Sequence, residues 1–221
     1  MSKSIIILGK GPSILRCNKE FVDKFDDIAI CNFPVLNSFF ENLIKDRNIL
    51  YHFANCGTFD ERYDLNVHNK LCIKNIINTN SKDNKAYADY LKNHSLIKEN
   101  IKETMLEKFK SYDLDPNTGT MALQYILDTK KYNKIALVGF DNFKKGDNVY
   151  YYETKDYNKK IKYLIDLNII TKDGVYNQIS GHDPLKTKKY YEDVFKKNVN
   201  IKFELITQLE FDDKYCNLTI I

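Results

Sequence analysis

A tight turn able to face an anion follows the first apolar run of the sequence: Gly9-Lys10-Gly11-Pro12-Ser13. Two glycines let a backbone turn sharply and approach a charged group, and Ser13 adds a hydroxyl donor. A dinucleotide fingerprint needs a third glycine at position 14, occupied by Ile14, and an acidic residue clearly closing a second strand, so NAD is disfavoured. The stretch also reads as a plain structural turn between strand and helix. Asn32, in Cys31-Asn32, and Asn55 each follow an apolar run. A carboxamide donates and accepts, which suits a base edge, a ribose or a sugar hydroxyl, and equally suits a turn.

Further along, Asn117-Thr118-Gly119-Thr120 opens an amphipathic stretch. Asn117 or Thr118 can cap it, and the N–H groups beyond can receive a phosphate or carboxylate, or simply be capped. Asp113-Leu114-Asp115 has the spacing of a metal-binding carboxylate pair, but it precedes a helix instead of ending a buried strand, which speaks against a metal site. Gly139-Phe140-Asp141-Asn142-Phe143 closes the strongest late apolar run and leads to Tyr150, Tyr151, Tyr152 and Tyr157. Tyrosines clustered in a Lys/Asp-rich loop read as a lid presenting phenolic donors to a ligand, or as edge packing. Of the four histidines (52, 68, 94 and 182), those at 68 and 94 lie in polar stretches. His182 sits in the loop Ser180-Gly181-His182-Asp183-Pro184, where a neutral imidazole can take a proton near pH 7. A lone loop histidine is otherwise a solvent-facing residue.

These residues need elements to hold them, and the hydrophobic pattern supplies strands and helices in alternation. Strands are expected at 5–8, 27–32, 48–54, 71–77, 134–139 and 201–206. Helices are expected at 35–45, 118–129 and 185–195, from apolar residues at helical spacing, and a polar surface helix within 84–111. Such alternation implies an α/β fold with a mostly parallel sheet, whose ligands bind outside the carboxyl ends of the strands.

Composition sets limits on what such a chain does. It has 221 residues, 43% hydrophobic and 29% charged, which fits one globular domain spanning 1–221. Its net charge of +4 is too mild to argue for a nucleic-acid or membrane surface. The 5 cysteines show neither C-x-x-C nor zinc spacing, which suggests reduced thiols and a cytoplasmic compartment. No apolar run approaches the ~20 residues of a membrane span, and Ile5 to Leu8 is too short for a signal peptide.

Taken in order, the turns resemble those of the bacterial sialyltransferases that modify lipooligosaccharide. The matching segments are Gly9 to Ser13, Cys31-Asn32, Asn55, Thr118-Gly119, Gly139 to Asp141, the tyrosine-bearing stretch and Gly181-His182. The resemblance implies a single Rossmann-like domain with a tyrosine-rich lid at about 141–181, and a CMP-sugar donor used without a metal or other cofactor. It implies that the Gly9–Ser13 turn, Asn32, Asn55, Asn117, Thr118, Gly119 and Asp141 hold the donor. His182 would be general base on a glycan or glycolipid hydroxyl, giving inversion, and Tyr150 would bond the leaving phosphate. The chain departs from the pattern at Lys10, where the family has Asn, and at Phe143, where the first lid tyrosine falls. Tyr151 is one residue from the position of the second. Asp115 stands in a segment where relatives carry a basic residue. The resemblance also implies a possible homo-oligomer, and, the sequence being shorter at its C-terminus than those relatives, their membrane-associating tail is expected to be absent. A Rossmann-like protein that binds a nucleotide or phosphorylated metabolite without glycosyl transfer is the other reading, since the missing third glycine argues only against an oxidoreductase.

Overall fold

The computed structural model describes residues 3–32, 36–54, 70–79, 97–141, 183–211 and 214–221. The strands are β1 (Lys3–Leu8), β2 (Asp27–Cys31), β3 (Ile49–Ala54), β4 (Ile73–Asn78), β5 (Ile97–Asn100), β6 (Tyr132–Val138), β7 (Lys202–Ile206) and β8 (Leu218–Ile220). The helices are α1 (Lys19–Val22), α2 (Ser38–Leu43), α3 (Lys102–Phe109), α4 (Thr118–Asp128) and α5 (Pro184–Lys197). Short 3-10 turns cover Pro12–Arg16 and Lys110–Tyr112.

The strands form one sheet in the order β5-β4-β3-β2-β1-β6-β7-β8, and every neighbouring pair is parallel. β1 lies in the middle because its β-branched run, Ile5-Ile6-Ile7, can be buried on both faces. Ile6 is level with Ile28 of β2 on one side and Ala136 of β6 on the other. The chain builds outward from β1 to β5, then returns to the other side of β1 with β6. The strand order therefore reverses between β1 and β6, which opens a crevice at their carboxyl ends.

Two apolar layers sandwich the sheet. Ile5, Ile7, Ile135, Leu137, Phe203 and Leu205 join a core with Met105 and Phe109 of α3, Met121 and Leu123 of α4, and Tyr191 and Phe195 of α5. Ile6, Leu8, Ile28, Ile30 and Val138 pack on the opposite face against Ile14, Val22, Phe40 and Leu43. Each such buried Ile, Leu or Phe contributes about 1.5–3 kcal/mol over an exposed one. Phe109, Tyr112 and Tyr190 stack between α3, its following turn and α5, with ring centroids 4.7 to 6.4 Å apart.

Two sequence expectations need correction. Within 97–111 the chain is not a polar surface helix: Ile97–Asn100 is a strand, and the helix after it buries Met105 and Phe109. Leu71 and Cys72 form a turn, Cys72 at φ 49°, so β4 starts only at Ile73. Among the described residues no helix is long and apolar enough to cross a membrane.

Candidate functional site

The turns after β1 and β6 meet backbone to backbone at the crevice. The Gly11 N–H donates to the Gly139 carbonyl at 2.9 Å, and the Gly9 N–H to the Val138 carbonyl at 2.7 Å. A Cβ on Gly9 would lie 2.5 Å from the Gly139 oxygen; one on Gly11 would run into the Asp141 carboxylate and lie 2.8 Å from that same oxygen. Gly139 itself sits at φ 75°, in the left-handed region that favours glycine. The glycines thus let two strand-terminal turns interlock, with or without a ligand. Gly11→Ala is expected to cost about 1–3 kcal/mol through overpacking, read as a lower denaturation midpoint in urea; an unchanged midpoint would show that the turns do not need to touch.

Asp141 and Ser13 complete the interlock. The Asp141 carboxylate accepts from the Ser13 N–H at 2.8 Å and from the Gln208 N–H at 2.7 Å, tying together the turns after β1, β6 and β7. The Ser13 hydroxyl donates to the Ile206 carbonyl at 3.0 Å. The Thr207 hydroxyl donates to the Phe140 carbonyl at 2.9 Å, and an Arg16 N–H to the Thr207 carbonyl at 2.6 Å. Lys10 is largely buried between the two glycines, and its charge acts on Cys31 at the end of β2. Burial nevertheless dominates there and pushes the Cys31 thiol up to about 12.

Asn117 caps α4: its side-chain oxygen accepts from the Thr120 N–H at 2.9 Å and the Thr120 hydroxyl at 3.0 Å. Thr118, the first helical residue, donates its hydroxyl to the Asn32 side-chain oxygen at 3.1 Å and lies 3.3 Å from the Thr79 hydroxyl. Gly119 is packed against the Phe140 ring, where a Cβ would meet the ring edge at 2.6 Å. Of the residues singled out in the sequence, Gly9, Lys10, Gly11, Pro12, Ser13 and Asp141 belong to the interlocked turns. Asn32, Thr118 and the Asn117 cap form a second group, at the ends of β2 and β4. Asn55, Phe143, Tyr150, Tyr151 and His182, and the tyrosine-rich stretch with them, lie outside the described residues.

The two carboxylates of Asp113-Leu114-Asp115 face different lysines. Asp113 pairs with Lys186 at 2.5 Å and Asp115 with Lys102 at 3.0 Å. The Lys186 hydrogen bond and charge hold the Asp113 carboxyl below its usual range. Lys186 is in the first turn of α5, so that turn lies against the end of the Lys110–Tyr112 turn ahead of α4, and Asp183 caps α5 through the N–H groups of Leu185 and Lys186. Sequence reading missed Thr79, Thr207 and His52. Thr79 and Thr207 are each the first residue past a buried strand, as Asn32 is, and the same rule applied to β4 and β7 finds both.

The all-parallel α/β sheet with its β1/β6 reversal is a fold this chain shares with solved sialyltransferases. In particular, it is similar to the sialyltransferase CstII from Campylobacter jejuni, solved with the substrate analogue CMP-3FNeuAc: TM-score 0.62, 16% identity, covering 98% of this chain and 86% of that one. A single-residue variant of CstII in complex with CMP matches with TM-score 0.59 and 18% identity over 99% of this chain and 94% of the other. The monofunctional α-2,3-sialyltransferase Cst-I from Campylobacter jejuni matches with TM-score 0.63 and 19% identity, covering 99% and 81%. No protein-family model matches the sequence, and neither does any curated protein.

Proposed function

We propose that the chain is a glycosyltransferase of sialyltransferase type, moving sialic acid or a related sugar from a CMP-sugar to a glycan hydroxyl with inversion and without a metal. The observation that supports it most is the meeting of strand-terminal turns at the β1/β6 crevice, in a fold shared with CstII structures that hold CMP or CMP-3FNeuAc. The Gly9–Ser13 turn, Asn32, Asn55 and the start of α4 (Asn117, Thr118, Gly119) take the nucleotide, with Asp141 holding the first turn in shape. His182 accepts the proton of the acceptor hydroxyl as its oxygen forms a bond to the anomeric carbon. The bond from that carbon to the phosphate oxygen breaks, and CMP leaves with the electron pair. Tyr150, with Tyr151 beside it, donates to the leaving phosphate, while Phe143 contributes only its ring. A nucleoside monophosphate departs with less charge than a diphosphate, so phenolic and backbone donors can stand in for a cation. Alignment of the acceptor oxygen behind the anomeric carbon supplies the rest.

CMP at about a hundred times its Kd should stabilise the protein by about 2.7 kcal/mol, a rise of roughly 5–10 °C in Tm for a chain of this size, whereas NAD should give none. Absence of a CMP shift would overturn the reading. A shift without release of CMP from CMP-sialic acid in the presence of glycan acceptors would favour a nucleotide-binding protein that performs no transfer.

A further inference from the structure

His52 lies inside β3 and is completely buried between Tyr51 and Phe53 in sequence. An apolar residue fills such a position more favourably, because burying an imidazole means stripping water from two polar nitrogens. What the imidazole adds is a directed donor: its Nε2 is 2.8 Å from the Asn32 carbonyl oxygen, and a carbonyl only accepts, so Nε2 carries the hydrogen. Asn32 is the first residue past β2, at φ 58°, a left-handed conformation that asparagine tolerates better than other side-chain-bearing residues and that its hydrogen bonds here hold. β3 imposes it from both sides of the residue, since the Asn32 N–H also donates to the Phe53 carbonyl at 2.7 Å.

The side chain is fixed as firmly as the backbone. The single proton of the Thr118 hydroxyl goes to the Asn32 side-chain oxygen, so at the 3.3 Å contact between the two threonines Thr79 must be the donor. Protons therefore run from Thr79 to Thr118 to the Asn32 carboxamide, and from His52 to the Asn32 carbonyl. β2, β3, β4 and α4 all converge on this one asparagine.

We propose that His52 is a positioning residue for the nucleotide: by holding the Asn32 peptide in its left-handed conformation it presents the Asn32 carboxamide to the CMP portion of the donor. This rests on the CMP-sugar reading of the site. It is tested with a double-mutant cycle of wild type, His52→Leu, Asn32→Gly and the combined variant, each titrated with CMP by calorimetry and melted in parallel. Asn32→Gly should weaken CMP binding by about 5–30-fold, the scale of one or two lost hydrogen bonds. His52→Leu should weaken it by a comparable factor, and the combined variant by no more than Asn32→Gly alone. His52→Gln, whose amide N–H2 falls where the imidazole Nε2 lies, should bind within about 2-fold of wild type, a rescue that retention of the hydrogen bond demands. In turnover with a CMP-sugar, His52→Leu should raise KM and leave kcat in place.

Losses that simply add, or wild-type affinity in His52→Leu, would overturn the positioning role while leaving the CMP reading intact. A wild-type protein that does not bind CMP would overturn both. His52→Met, flexible and without an N–H, takes the place of His52→Leu in the cycle if the leucine variant does not fold.

Discussion

A chain carrying His182→Ala is expected to bind CMP as the wild type does and to lose about 10²–10⁴-fold in kcat, the usual contribution of a general base. The placement of its neighbours motivates the expectation. Asp183, the next residue, caps α5, and the far end of α5 feeds β7 through residues 198–201. The helix thus runs against the strands and begins at their carboxyl edge. The bond from Lys186 to Asp113 sets that beginning against the segment that leads into the Asn117 cap of α4. A base must be unprotonated to work, so wild-type kcat/KM should fall on the acidic limb of its pH profile. The alanine variant should lose that limb of the profile. Full transfer activity in His182→Ala, measured with CMP-sialic acid and an acceptor, would move the base to another residue.

The second large effect concerns stability. Asp141 is buried and accepts two backbone N–H groups from turns far apart in sequence. Asp141→Ala leaves both donors without that acceptor, at about 1–3 kcal/mol each, in addition to the volume removed from the interlocked turns. A loss of about 3–5 kcal/mol follows, or roughly 6–20 °C in Tm at this chain length. Asp141→Asn keeps a single acceptor oxygen and should fall between the alanine variant and wild type. CMP affinity should decline with both, because the Gly9–Ser13 turn loses its brace. An alanine variant that melts with the wild type would show that the hydrogen bonds from Gly11 and Ser13 hold the turn without Asp141.

Much of this architecture was legible beforehand because both-face burial writes unbroken apolar runs. Ile5 to Leu8 and Ile135 to Val138 can be read as central strands, and Met121, Ala122 and Ile126 mark the inner face of α4. β5 and β8 escaped for the opposite reason. They are edge strands: Lys98, Glu99 and Asn100 leave β5 no apolar run, and β8 is only 3 residues long. α3 was read as a surface helix because only Met105 and Phe109, four residues apart, are buried in an otherwise polar helix. At the site, the glycines were found as a turn, but that they interlock with Gly139 and Asp141 is a fact about two segments more than a hundred residues apart. His52 was given no role because nothing in the run Ile49 to Ala54 says that its ring reaches the end of the neighbouring strand.

The central place of β1 governs the order in which the chain can complete itself. Its partner on one side, β2, follows within some twenty residues, but its partner on the other, β6, begins only at Tyr132. While the polypeptide emerges from a ribosome, the first half-sheet is left with a raw lateral margin along Ser4 to Leu8, lined by isoleucines and open N–H and C=O groups. Every ladder is parallel, so none can be closed by a quick hairpin, and the slow step is the long-range capture of that margin by β6. A chain interrupted before residue 132 is therefore left holding an adhesive strand instead of half a finished sheet.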